Sequence, residues 1–169
     1  SHECDYPSTF ESLPKLTRSR IPSGLTSRDI DIVVSAQLEN DHILYDLEVS
    51  LLVELAPDLV VTQALCNVCA VSGNDVVRAL DQLPGNPVLV NLEPTNLGEV
   101  LNSAIQVSEA ADCRDSGAEY VKWLRNRINS VGDKSREIAN QAKPRVALLD
   151  WLDPLFDGGH WSPEIIALA

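Results

Sequence analysis

The sequence predicts an α/β protein: a parallel-sheet, Rossmann-like lobe, a long backbone helix, and the beginning of a second α/β lobe. Three observations carry this expectation. Residues 59–61 and 87–92 are short apolar runs rich in β-branched side chains, each followed by a helical pattern. That alternation means parallel strands joined by right-handed crossovers. A three–four apolar periodicity then covers residues 118–142, about 25 residues or about 37 Å of helix, too long for a crossover in a small sheet. After Pro144, residues 146–149 read as a new strand. The expected division is an N-terminal lobe over 1–116, an inter-lobe helix over 117–143, and the start of a truncated C-terminal lobe over 144–169.

Taken in order, residues 1–7, SHECDYP, form a dense set of polar and ligand-type side chains ahead of a proline. Residues 15–17 read as a short edge strand after Pro14. A helix starts at Thr26 or Ser27, with Asp29 and Asp31 in its first turn and Ile30, Val33, Val34 and Leu38 on its apolar face. Asn40-Asp41 breaks it. Residues 49–55 form a second helix, ended by Pro57 because proline disfavours helix at the residue before it. The strand at 59–61 runs into a loop carrying Cys66 and Cys69. A helix over 75–83 follows, with Val76, Val77, Leu80 and Leu83 on one face. Thr95 caps a helix bearing Leu97, Val100, Leu101, Ala104 and Ile105. On the long helix the apolar series is Val121, Leu124, Ile128, Val131 and Ile138, and Gly132 invites a bend. Residues 150–161, DWLDPLFDGGHW, read as an aromatic and acidic loop, and Ser162-Pro163 as a helix start.

Composition excludes several functions. The chain of 169 residues is 44% hydrophobic and 22% charged, as in ordinary globular proteins. Its net charge of -12, from 25 acidic and 13 basic residues, argues against phosphate-backbone binding and against a polybasic membrane contact. No apolar stretch approaches the roughly 20 residues of a membrane span. The first residues are not a basic and then apolar leader. With no methionine anywhere, the chain reads as a processed protein or a gene fragment. Localisation is not readable from it.

In an open α/β sheet, ligands sit outside the carboxyl ends of the strands, which points to residues 63–71. The chemistry there has competing readings. Cys66-x-x-Cys69 lacks the immediate helix start of a thioredoxin-like motif. A disulfide, within the pair or to Cys4, is one alternative. A metal site drawn from His2, Cys4, Cys66, Cys69 and His160 is the other, provided that three loops meet. Neither GxSxG, GxGxxG nor a Walker loop occurs, and no catalytic set can be assigned, so no enzyme activity is expected. Trp151, Phe156 and Trp161, mixed with Asp and Gly between a strand end and a helix start, suit a ligand-facing surface.

Together, SHECDYP, LAPDLVVTQALCNVCAVS and WLDPLFDGGHWSPE resemble the cobalamin-binding branch of the class III periplasmic substrate-binding proteins. These serve ABC importers of cobalamin, haem and iron-siderophores. The resemblance implies two α/β lobes joined by one long helix, with a corrinoid or related metal chelate in the cleft between them and no cofactor required. It assigns Asp5 and Tyr6 to a loop lining the cleft, Gln63 and Leu65 to a strand-end loop facing the ligand, and Trp151, Phe156, His160 and Trp161 to the opposite border. It further implies a periplasmic or lipid-anchored extracellular location and an ABC permease as partner. Where the family often carries a docking glutamate this chain has Ser50, with Glu48 nearby, so the usual salt bridge lacks its carboxylate. By the same comparison the first strand and helix of one lobe and most of the other are missing. Uncovered sheet edges then favour a homo-oligomer.

Overall fold

A computed structural model describes residues 1–39, 44–63, 73–138 and 144–169, with residues 73–75 in their backbone only. Among these, six α-helices and three two-stranded sheets, one of them parallel, make a mixed α/β chain. No described helix is long and apolar enough to cross a membrane. The chain divides into two compact units, Ser1–Leu92 and Glu93–Ala169.

In the first unit, β1 (Thr17–Ser19) pairs antiparallel with β2 (Tyr45–Leu47), Thr17 lying opposite Leu47. The sequence pattern placed β1 two residues early and missed β2, whose three residues form a strand only because β1 pairs with it. Arg18 and Arg20 reach diagonally to Glu48 and Asp46, at 2.6 and 2.5 Å. The Arg20 hydrogen bond holds the Asp46 carboxyl below its usual range. Both pairs are solvent-exposed, so they set strand register more than they add stability.

Helix α1 (Ser27–Glu39) is capped by Thr26, whose hydroxyl accepts from Asp29 N–H at 3.2 Å and donates to the Asp29 carboxylate at 2.7 Å. None of its residues is buried. The break expected at Asn40-Asp41 lies outside the described residues. Helix α2 (Val49–Leu55) has the expected bounds and closes on Ala56, in the left-handed region at φ 41°. Ala56 N–H donates back to Leu52 and Val53 carbonyls, and Pro57 follows.

Strand β3 (Leu59–Gln63) pairs in parallel with β4 (Val88–Leu92), Leu59 opposite Val88 and Gln63 opposite Leu92. Helix α3 (Gly73–Leu80) lies between them in sequence. Among its described side chains Val76 and Ala79 are buried, joined by Leu83 just beyond its end, whereas Val77 is 50% exposed. Adjacent helical residues stand about 100° apart, so Val76 and Val77 cannot share one narrow face. Leu52, Ala79 and Leu83 form the centre of the core, with Leu47, Val49 and Leu80 packed around them.

The second unit is built on a helix hairpin, α4 (Leu97–Ala110) and α5 (Arg114–Glu137). The cap of α4 is Asn96 rather than Thr95. Its side chain accepts from Glu99 N–H at 3.0 Å, and the Glu99 carboxylate accepts from Thr95 N–H and Oγ, both at 2.7 Å. The two exchange bonds much as a capping box does, shifted by one residue. Glu164 adds a third partner for the helix end, accepting from Leu97 N–H at 3.0 Å. At the other end Asp112 is left-handed (φ 55°), and Cys113 N–H bonds to Ser108 O at 2.8 Å while Asp112 N–H reaches Glu109 O at 3.2 Å. This is a Schellman closure with Asp in place of the more common Gly.

The Thr95 bonds, the backbone bond first, hold the Glu99 carboxyl below its ordinary value. A depressed folded-state value gives stability that is complete above the unfolded value, about 4.3 for glutamate, and is lost as pH falls through the folded value. Glu99→Gln is therefore expected to reduce this part of the acid sensitivity. Urea unfolding from pH 6 to pH 3 should show wild type losing its advantage over the variant; parallel curves would refute the assignment.

Helix α5 spans 24 residues and runs without interruption through Gly132. Its buried residues are Gly117, Val121, Gly132 and Ser135, while Val131 and Ile138 are 50% and 54% exposed. Steps of seven residues fall about 20° short of two full turns, so the series drifts from half-buried Leu124 to exposed Val131. The strand expected at 146–149 begins only at Leu149. Strand β5 (Leu149–Leu152) forms an antiparallel hairpin with β6 (Leu155–Asp157) around Asp153-Pro154, where a loop was expected. Helix α6 (Ser162–Leu168) has Trp161, not Ser162, at its N-cap.

Candidate functional site

The carboxyl ends of β3 and β4 open onto a cavity of about 390 Å³ in the first unit. Leu47, Leu52, Val60 and Val76 give it an apolar floor, and His2, Glu3, Thr17, Tyr45, Thr62 and Gln63 supply its polar groups. Residues 60–63 all line it. Side chains alternate along a strand, so four consecutive residues meet one cavity only where it borders the strand edge.

The SHECDYP segment reaches the cavity because it is tied down twice. His2 donates its backbone N–H to Thr17 Oγ1 at 2.9 Å, and its Nδ1 shares a hydrogen bond with the same hydroxyl at 2.8 Å. Its ring packs on Tyr45, centroids 5.6 Å apart, and Nε2 lies 3.8 Å from a Glu3 carboxylate oxygen. Lys15 Nζ donates to the carbonyls of Cys4 and Phe10, holding the segment beyond. Two residues of the sequence-based set, His2 and Gln63, thus meet in one cavity. Asp5 and Tyr6 do not line it, and Tyr6 is 88% exposed. Thr17 and Tyr45 were missed. The one signal for a strand that would bring Tyr45 there is the alternation Tyr45–Glu48, YDLE, too short to announce it alone.

Leu65, Cys66 and Cys69 lie outside the described residues. Cys4 is exposed and unbridged. Among the described residues no three of His, Cys, Asp and Glu come together as metal ligands, and the His2 ring is engaged with Thr17. Ser50 is exposed in the first turn of α2, and the nearby Glu48 is paired with Arg18.

In the second unit the hairpin sets Trp151 directly opposite Phe156, edge to face, with ring centroids 5.6 Å apart. His160 is held left-handed at φ 54° and its ring lies 5.7 Å from Trp161. Phe156 is 45% exposed, and the tip residues Leu152 and Leu155 are 79% and 68% exposed. Each pair offers ring faces and edges, the second with an imidazole, which suits contact with a flat apolar body. No family model, curated protein or solved structure matches the chain.

Proposed function

We propose that the chain is the substrate-binding component of an ABC importer, of the class III type, taking a corrinoid or related metal chelate. The cavity at the ends of β3 and β4 carries this reading. Ser1, His2 and Glu3 of SHECDYP line it together with Gln63, beside the strand ends where open α/β sheets hold ligands. Its volume of about 390 Å³ lies toward the small end of ligand pockets, so it would take part of a corrinoid's rim rather than the whole macrocycle. Amide donors and acceptors would meet Gln63, Thr17 and His2. Trp151, Phe156 and Trp161 offer the aromatic area that a flat macrocycle buries. A periplasmic or lipid-anchored location and a permease partner belong to the same proposal. With Glu48 paired to Arg18, permease docking would rest on other groups than the usual carboxylate.

Titration of the chain with cyanocobalamin tests this through tryptophan fluorescence, because Trp123, Trp151 and Trp161 are its only tryptophans. Saturable quenching is expected. Trp151→Phe and Trp161→Phe should each remove part of it, and Trp123→Phe should leave the binding curve in place. An unquenched protein, or quenching that follows Trp123 alone, would count against the reading.

A further inference from the structure

On α5, Lys122 and Arg125 stand three residues apart on one flank, with Asn126 and Asn129 beside them at helical spacing. With Ile105 of α4 and with Ala118 and Val121 they line an open cavity of about 420 Å³ in the second unit. Among the described residues no carboxylate lines it.

That composition departs from the rest of the chain, in which acids outnumber bases 25 to 13. Arg18, Arg20, Arg114 and Arg136 are each paired with a carboxylate. Among the described residues the side chains of Lys122 and Arg125 have no ion-pair or hydrogen-bond partner. Two like charges three residues apart on a helix repel one another. Here they share a cavity with two carboxamides and, among the described residues, no neutralising group.

A dianionic oxyanion answers each of these features. The Arg125 guanidinium presents parallel N–H donors to two oxygens, Lys122 supplies a point charge, and the Asn126 and Asn129 amides donate without adding charge. A carboxylate carries one charge and two oxygens; a phosphate monoester near neutral pH carries close to two charges and three strong acceptors. Ile105, Ala118 and Val121 give the cavity an apolar side, of which Val121 is 4% exposed.

We propose that this groove between α4 and α5 binds a phosphate monoester carrying an apolar group. Its source is a soluble organophosphate or the headgroup of a lipid.

The test uses the whole chain and phenyl phosphate, with inorganic phosphate and sodium chloride at matched ionic strength, followed by isothermal titration calorimetry. Phenyl phosphate is expected to saturate and to bind more tightly than inorganic phosphate. Lys122→Gln/Arg125→Gln, two exposed substitutions whose folding is checked by circular dichroism, should weaken it by about tenfold or more. Lys134→Gln, which removes a like charge from the same helix outside the cavity, should leave affinity within about twofold. Co-sedimentation with phosphatidic acid vesicles, lost in the double variant and unaccompanied by a phenyl phosphate response, would identify the lipid source. Absence of saturable binding to both probes, or equal weakening by Lys134→Gln, would overturn the proposal.

Discussion

Gly117→Ala is expected to destabilise the second unit by about 2 kcal/mol, although alanine is the better helix former by about 1 kcal/mol. A Cβ at 117 would lie 1.9 Å from Ser108 Oγ and 2.3 Å from Ser108 Cβ. Ser108 is 6% exposed, and its hydroxyl already donates to Ile105 O at 2.8 Å. Rotating the hydroxyl away still leaves carbon on carbon at 2.3 Å, and the two helices must separate. Overpacking of this kind costs about 1–3 kcal/mol, and such a short contact belongs at the upper end before the helix-propensity gain is subtracted. Adding Ser108→Gly moves the missing Cβ to the other side of the interface and should recover most of the loss. Urea denaturation of both single variants and the double variant measures the coupling. A Gly117→Ala protein as stable as wild type would show that α4 and α5 do not approach this closely.

Leu52→Ala should cost the first unit about 2–5 kcal/mol, the range for leucine truncation in a packed core. Leu52 is 4% exposed and sits against Ala79 and Leu83 at the point where α2 and α3 meet. It also lines the His2–Gln63 cavity, so truncation enlarges an existing space instead of creating a sealed one. That places the effect toward the lower end of the range and should alter ligand response as well. Val77→Ala supplies the contrast. Its side chain is 50% exposed, and a change within about 0.5 kcal/mol is expected. Equal losses at the two positions would contradict the assigned face of α3.

The local pattern was legible where one segment carries its own signal. Helix α2 follows from a short apolar run stopped by Pro57, and β3 and β4 from β-branched runs bounded by proline. The periodicity of α4 and α5 required only counting. His2 and Gln63 were singled out as candidates on chemistry and on position beside a strand end, and the cavity holds both.

What was illegible depends on partners distant in sequence. Strand β2 exists through pairing with β1, about thirty residues away, and three residues carry too little propensity to announce it. Tyr45 reaches the cavity by the same pairing. The hairpin at 149–157 looked like a loop because its residues alternate only weakly and Asp153-Pro154 masks the register. Composition and periodicity by themselves determined a mixed α/β chain, its helices and the parallel strand pair. Tertiary structure decided which face of each helix is covered: a fixed 100° step per residue carries Val77, Val131 and Ile138 away from surfaces that Ala79, Gly132 and Ser135 occupy. At Gly117 the neighbouring helix leaves no room even for a Cβ, which would meet Ser108, a constraint that belongs to the neighbouring element and not to the segment itself.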